Sequence, residues 1–347
     1  MGSGQFKTNY RDDIKIFQTC FIKFWLCVLA LCLLVFPFLV EQYFLYIANL
    51  CGIAVIGALG LNILAGYTGQ ISLGHSAFIA IGAYTSTILS VKWGFPFWLA
   101  FPIAGIVSAI CGLIIAIPCL RLRGLYLAIA TFAFYYIVEY VIIHWNGLTN
   151  GTGGMSVPEA SFFGFAFDSD RKIYFLILFL VVCTTAFARN LFRTEAGRAF
   201  IAVRDYDIAA EVIGVDVVKT KILSFMVCSF YAGIAGCLYA VTLSFIGPEY
   251  FTFLMTIEYL AMCLVGGVGT IVGTIFGAIF ITMLPEGIRL LRDALSQDFP
   301  FLVTRMADLQ GSFYGLVIIL FLIFEPTGLF GLWVRFKNYW KNWPYTY

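Results

Sequence analysis

Apolar windows cover most of this chain, and only short polar stretches separate them. The windows fall at about 24–40, 43–66, 71–91, 95–119, 124–143, 172–188, 222–243, 256–268, 270–284 and 312–330. A helix needs about 20 mostly apolar residues to cross the hydrocarbon core of a bilayer, and most windows come close to that length. The pattern therefore predicts an all-α protein, a polytopic transmembrane helical bundle with about ten spans, in a range of eight to ten.

The eighth and ninth windows are separated only by a glycine-rich stretch. They form either one long helix or two short segments that turn at Gly266, Gly267 and Gly269. Glycines in succession favour a break, and unwound backbone at that depth has to be buried in protein or face a cavity. We therefore expect two segments, which favours ten spans over nine.

The composition agrees with a membrane protein. Of 347 residues, 61% are apolar and 12% are charged, whereas soluble domains carry about 25% charged residues. We expect a single transmembrane permease domain over residues 1–347. The run from Phe24 to Val40 is long for a signal peptide and no A-x-A cleavage site follows it, so it is interpreted as an uncleaved first span.

The positions of Lys and Arg predict the orientation. If the N-terminal tail, residues 1–23, is cytoplasmic, fifteen of the 21 basic residues lie on the cytoplasmic side and six on the other. This is the bias expected of a protein in a plasma membrane, and nine crossings give the same tally. Two connections are long: 144–171 is expected outside the cytoplasm, and 189–221, with six basic and five acidic side chains, inside.

Several kinds of chemistry are missing from the sequence. It has no G-x-x-x-x-G-K-[ST] phosphate loop, so ATP hydrolysis by that route is excluded. Ser72 and His75 lack a third member of a hydrolase triad. Ten Cys without a CxxC pair, nearly all in apolar windows, are interpreted as small packing residues. We expect no catalytic residue, no metal site, no cofactor and no nucleic-acid partner.

Residues 62–84 are dense in Gly, Ser, Thr and Ala. Such a segment either packs closely against other helices or forms the wall of a translocation path. The second interpretation rests on Gln70, Ser72 and His75, because polar side chains are costly in lipid unless they face protein or water. His75 is either a packing residue or a wall residue.

Glycines and carboxylates mark two further features. Gly269, Gly273 and Gly277 share one helix face, which is typical of close packing, either within this chain or against a second permease subunit. Glu139 and Glu258 lie in or near apolar windows. Intramembrane carboxylates are functional candidates, although either residue can instead sit at a membrane boundary.

The cytoplasmic stretch 195–221 is unusually long and charge-balanced for a connection between spans. Within it, residues 209–214 predict a short helix that ends at Gly214. A helix there offers apolar and charged side chains to a groove on a partner, unless the stretch is only a solvated loop.

Five segments, taken together, resemble the LivM-type permeases, the inner-membrane subunits of branched-chain amino-acid ABC importers. They are L-N-I-L-A-G-Y-T-G-Q-I-S-L-G-H-S-A-F (61–78), R-L-R-G-L-Y-L-A-I-A-T (121–131), G-R-A-F-I-A-V-R-D-Y-D-I-A-A-E-V-I-G-V (197–215), L-V-G-G-V-G-T-I-V-G (264–273) and P-T-G-L-F-G-L (326–332). The resemblance runs in order over roughly residues 10–335. One departure is Glu325, which precedes Pro326 where the family commonly has Arg, and it leaves the end of the last span open.

The resemblance implies an importer with several partners in a bacterial or archaeal inner membrane. These are a LivH-like second permease, two ABC ATPase subunits and a periplasmic substrate-binding protein, although pairing of this chain with itself stays open. The residues implied to couple to the ATPases are Gly197, Arg198, Arg204, Ala209, Ala210, Glu211 and Gly214. The residues expected to line or support the translocation path are Asn62, Gln70, Ser72, His75, Glu258, Gly266, Gly267 and Gly269.

The substrate expected from this resemblance is a branched-chain or related amino acid. Permeases for urea and short amides share the same motifs and form the first alternative. An ion-coupled secondary transporter, which needs no ATPase, and an intramembrane enzyme are alternatives from other classes.

Overall fold

The computed structural model describes residues 20–120, 122, 124–162, 165–295, 315–316, 318–321, 323–325 and 327–342. Its longer helices are α1 (Cys20–Leu39), α2 (Gln42–Asn62), α3 (His75–Lys92), α4 (Phe97–Cys119), α5 (Leu125–His144), α6 (Asp170–Leu191), α7 (Glu195–Val212), α8 (Val217–Leu243), α9 (Phe253–Gly266), α10 (Ile271–Leu295) and α11 (Gly328–Asn342). The predicted all-α architecture is confirmed. The chain forms two compact units, Met1–Leu45 and Tyr46–Tyr347.

Seven helices in the described part of the chain are long and apolar enough to cross a membrane. A shorter apolar helix, Lys23–Leu39, belongs to the first unit. The expected break between the eighth and ninth windows is confirmed, because α9 ends at Gly266 and α10 begins at Ile271. The total of ten crossings stays a prediction, since the tenth window lies partly outside the described residues. The described residues also leave out residues 1–19 of the predicted tail and three of the basic residues in the orientation tally, Arg121, Arg123 and Arg305.

Helix α8 lies at the centre of the larger unit. Its apolar window is 67% buried, against 22% for α6. Helices α3 and α8 approach backbone to backbone, because a Cβ at Gly82 would overlap Gly233 and a Cβ at Gly236 would overlap the Ile79 carbonyl. The small residues of segment 62–84 therefore serve close helix packing.

Helices α3 and α9 both begin beside the middle of α5, which itself is long enough to span a membrane. The Leu73 N–H donates to Thr131 Oγ1 at 2.9 Å, and the ring of Phe253 lies 4.6 Å from that of Phe132. The window predicted at 71–91 is thus helical only from His75.

The starts of these two helices are joined to each other. The Ser76 N–H donates to Thr256 Oγ1 at 3.0 Å, and that hydroxyl donates to Ser76 Oγ at 2.9 Å. A buried pair of hydroxyls therefore joins the first turns of α3 and α9, where backbone bonding within a helix is incomplete.

Two short antiparallel ribbons lie in the connections. Strand β1 (Met155–Ser156) pairs with β4 (Phe245–Ile246), and β2 (Ser161–Phe162) pairs with β3 (Phe165–Ala166). The β1–β4 pair ties the predicted outer connection to the chain that follows α8. We call the end of the bundle with these ribbons the ribbon end, and the end with α7 the α7 end.

The long connection predicted at 189–221 is mostly helical. Helix α6 continues to Leu191, and α7 spans Glu195–Val212, so the short helix predicted at 209–214 is the last part of a longer one. Helix α7 is kinked at Tyr206, where φ is −162° and ψ is 102°. Gly214, with φ of +93°, follows its end as expected.

Candidate functional site

Helix α7 presents an apolar surface outside the spans. Its start is capped by Thr194, whose hydroxyl accepts the Gly197 N–H at 3.4 Å. After the kink, the side chains of Ile208, Val212 and Ile213 are 52%, 83% and 75% exposed. Large aliphatic side chains that are exposed together outside the candidate spans are typical of a surface that binds a partner protein.

The seven residues implied to couple to ATPases divide into two groups. Arg198, Arg204, Ala209, Glu211 and Gly214 are exposed. Gly197 and Ala210 are buried, and a Cβ at Gly197 would overlap the Leu191 carbonyl. These two residues therefore hold α7 in place against its own chain and do not belong to its outer surface.

The start of α8, which follows α7, is capped by Asp216. Its carboxylate accepts the Lys219 N–H at 3.0 Å and pairs with the Lys219 ammonium at 2.9 Å. These bonds, the backbone one first, hold the pKa of the exposed Asp216 carboxyl below its usual value. The carboxylate also lies at a helix N-terminus, where negative charge is favourable.

Arg204 links α7 to the turn that follows α2. Its guanidinium donates to the Gly66 carbonyl at 3.1 Å, and it pairs with Asp205 at 2.9 Å. Gly66 lies in the π-helical turn Ile63–Tyr67, which ends α2.

Asn62 links that same turn to the break between α9 and α10. Its Nδ2 donates to the Thr270 carbonyl at 3.1 Å, and its Oδ1 accepts the Gly269 N–H at 2.8 Å. A Cβ at Gly66 would overlap Asn62 Oδ1. We call this set of five residues, Asn62, Gly66, Arg204, Gly269 and Thr270, the junction.

Glycine is required in the break itself. Gly267 and Gly269 have φ of +117° and +77°, values that L side chains rarely adopt. A Cβ at Gly273 or Gly277 would overlap backbone atoms of Gly266 or Met262. The shared glycine face of α10 therefore packs on α9, within this chain.

The closing segment packs on the same break. A Cβ at Gly328 would lie 2.6 Å from the Gly267 nitrogen. Glu325, which is only 8% exposed, accepts from the Thr327 hydroxyl at 2.9 Å and pairs with Arg335 of α11 at 3.0 Å. Glu325, the departure from the family pattern, thus has partners in this chain, and the helical stretch before α11 ends there.

Gln70, Ser72 and His75 are buried in the packing of the bundle. Gln70 Nε2 donates to Ser224 Oγ at 2.8 Å, and Ser72 Oγ accepts the Gly74 N–H at 3.4 Å. The His75 ring lies 5.1 Å from the ring of Tyr259 and is fully buried. The three side chains therefore pack around the start of α3 and support it.

A cavity of about 340 Å³ lies between α2, α8, α9 and α10, and Glu258 lines it. Neither the residues of the junction nor Gln70, Ser72 and His75 line this cavity. Its wall combines aliphatic side chains of α2 with methionines and hydroxyls, among them Thr252 and Thr282. A larger groove of about 790 Å³ lies between α10 and α11, and the described residues that line it are apolar and carry no charged side chain.

Sequence patterns identified Glu258 but missed its neighbours in the cavity. The helical spacing of Met255, Glu258 and Met262 was available as a signal, as was Thr252 directly before the helix. Tyr239 and Thr282 come from other helices, and only the fold brings them to this wall.

Comparison with known proteins gives one family. Residues 43–322 match the family described as branched-chain amino acid transport system / permease component. No solved structure matches the chain.

Three relatives show the extent of the similarity. The high-affinity branched-chain amino acid transport system permease protein LivM of Salmonella typhimurium is 34% identical over 331 residues, which cover 88% of this chain and 74% of the relative. LivM of Escherichia coli has the same identity and coverage. The probable branched-chain amino acid transport permease protein LivH of Methanocaldococcus jannaschii is 26% identical over 82% of this chain and 90% of its own length.

The resemblance seen in the sequence is thereby confirmed, and so is the expectation of a transport subunit in place of an enzyme. Together with the seven long apolar helices, the matches make the chain a multi-pass membrane protein. It belongs to the family of permease components of branched-chain amino acid transport systems.

Proposed function

We propose that this chain is the LivM-type subunit of an ABC importer that carries branched-chain or related amino acids across the inner membrane. The observation that carries the proposal is the exposed apolar end of α7, which Arg204 joins to the turn after α2. A docking surface outside the membrane is needed when the energy comes from another chain. The absence of a phosphate loop from the sequence agrees with that requirement.

The proposed partners are two ABC ATPase subunits, a LivH-like permease and a periplasmic binding protein. The ATPases would dock on the face of α7 that carries Ile208, Val212 and Ile213. Support for a second permease comes from the relatives, which include proteins named LivM and LivH.

The α7 end of the bundle is assigned to the cytoplasm. Basic residues concentrate in the predicted connection 189–221 and in the tails, as expected of cytoplasmic segments. The ribbon end, with residues 144–169, then faces the binding protein, and the N-terminus is cytoplasmic.

The junction suggests how ATP binding would move the path. Closure of the ATPases would shift α7, and Arg204 would carry this shift to the carbonyl of Gly66. Asn62 would pass it to the α9–α10 break, because its amide bonds to Gly269 and Thr270. Helix α9 runs from this break to the cavity at Glu258, so movement of the break would change access to the cavity.

The test is uptake of radiolabelled L-leucine by proteoliposomes that contain the full complex, with the binding protein added outside. We expect uptake to require ATP inside the vesicles and to survive collapse of the proton gradient. Competition by L-isoleucine and L-valine, but not by urea or acetamide, would set the substrate class. Uptake that persists without ATP and stops when the proton gradient is collapsed would overturn the proposal.

A further inference from the structure

Helix α9 begins at the wall of the 340 Å³ cavity, and Thr252 at its start is exposed. Thr252 precedes it and lines the cavity, and the Thr252 side chain makes no capping hydrogen bond. The first N–H groups of a helix lack partners within it and carry about half a positive charge together. A helix N-terminus that opens onto a cavity is therefore a binding position for the anionic group of a substrate.

Glu258 supplies the opposite charge on the same helix. It lies five residues after Phe253, about 7.5 Å along the axis, and its side chain leans towards the helix start. Among the described residues, no Lys, Arg or His lines the cavity and none forms an ion pair with Glu258. An intramembrane carboxylate of this kind needs a cationic partner.

A third polar group has no partner in the described residues. Thr282 Oγ1 is shielded from solvent and makes no hydrogen bond there, and Thr282 lines the same cavity. Because α10 contributes it from a wall separate from α9, it is an independent sign that a polar ligand completes this space.

The remaining wall combines polar side chains, those of Glu249, Tyr239, Tyr250 and Tyr259, with an apolar face. Leu50, Ile53 and Ala54 of α2 and Met255 and Met262 of α9 line it. Methionine adapts to aliphatic groups of different shape. The volume also falls in the range of about 300–1,000 Å³ found for small-molecule sites.

We propose that this cavity binds an α-amino acid as a zwitterion during translocation. The ammonium group pairs with the Glu258 carboxylate, and the carboxylate lies at the start of α9 beside the Thr252 hydroxyl. The branched side chain packs against Ile53 and Met262. This inference rests on the proposed function and names the site within the permease at which its substrate is held.

The experiment uses three probes and the purified full chain in lipid nanodiscs, observed by saturation-transfer difference NMR. L-Leucine carries both charges, 3-methylbutylamine lacks the carboxylate, and 4-methylpentanoate lacks the ammonium group. Glu258→Gln should weaken binding of L-leucine and of the amine about tenfold or more, because a charged hydrogen bond is lost. Binding of 4-methylpentanoate should change little.

The matched control is Glu139→Gln, since Glu139 is also half-buried in a membrane helix but does not line this cavity. It should bind all three probes as the unmodified chain does. Equal losses in both variants, or full amine binding by Glu258→Gln, would overturn the proposal. If the complex fails to import L-leucine while amine binding still depends on Glu258, the cavity assignment stands and the proposed function fails.

Discussion

The side-chain amide of Asn62 is hydrogen-bonded to the backbone at Gly269, and its oxygen accepts the Gly269 N–H at 2.8 Å. The amide nitrogen donates to the next carbonyl, that of Thr270, at 3.1 Å. Asn62 is 1% exposed, so water cannot replace these bonds. One side chain thus gives the buried Gly269 N–H its acceptor and adds a donor to the Thr270 carbonyl, which also accepts the Thr274 N–H.

Replacing Asn62 by Leu removes both bonds and keeps the volume. The N–H of Gly269 then stays buried without a partner, while the Thr270 carbonyl keeps its bond from the Thr274 N–H, and we expect a loss of about 1–3 kcal/mol in stability. Asn62→Asp keeps the acceptor and loses the donor, so it should fall between. Thermal unfolding in detergent measures the order, and a leucine variant as stable as the unmodified chain would contradict this account of the break.

Gly269→Ala should destabilise the chain by about 1–2 kcal/mol, because alanine is strained at a φ of +77°. Gly287→Ala in α10 is the matched control. A Cβ there meets nothing within 4 Å, and helix propensity favours the change by about 0.5–1 kcal/mol. The melting temperature should fall for Gly269→Ala and rise for Gly287→Ala. If both temperatures rise or both fall, backbone strain at the break is not the cause of the change.

The fold could be predicted from the sequence largely because burial in lipid imposes one pattern. Apolar windows of span length allow only helices, and the break at Gly267–Gly269 followed from glycine alone. The interrupted start of α3 could not be predicted, since residues 71–74 are as apolar as their helical neighbours. Their backbone is held by Thr131 of another helix, a contact that periodicity does not reveal.

The site was predicted unevenly for a similar reason. Glu258 was recognisable as a carboxylate in an apolar window, and Asn62 as a polar residue in a packed segment. Their separate roles were not, because one lines a cavity and the other bonds to a backbone more than 200 residues away. Gly197 and Ala210 belong to the segment 197–215 that resembles the family, but only their burial in the fold shows that they face their own chain.

Arg204→Lys tests whether α7 is joined to the junction by geometry or by charge. Lysine keeps the charge but does not reproduce the planar group that bonds to Gly66 and Asp205 together. We expect ATP hydrolysis by the complex to continue while L-leucine import per ATP falls several-fold. Import and hydrolysis that fall in proportion would show that Arg204 serves assembly and not the transmission of movement.

Ile213→Ser tests the exposed surface of α7 without affecting the core. The side chain is 75% exposed, so stability should stay within about 0.5 kcal/mol. Co-purification of the ATPase subunits should nevertheless drop, because an apolar contact is removed from the docking face. Glu211→Lys should likewise lower substrate-stimulated ATP hydrolysis while the chain stays inserted in the membrane. Normal ATPase retention and hydrolysis in both variants would place the docking surface elsewhere.

Glu325 and Arg335 provide a charge-swap experiment between α11 and the end of the helical stretch before it. Glu325 is only 8% exposed, so Arg335→Glu places a second negative charge beside a nearly buried carboxylate. We expect a loss of about 1–3 kcal/mol, below the range for fully buried pairs because the Arg335 side chain is 67% exposed. The double variant Glu325→Arg with Arg335→Glu puts Arg where related permeases commonly have it and should recover most of the lost melting temperature. Without such recovery, Glu325 would matter for its bond to the Thr327 hydroxyl and not for its charge. In that case Thr327→Val, which removes only that bond, should cause the same loss of stability.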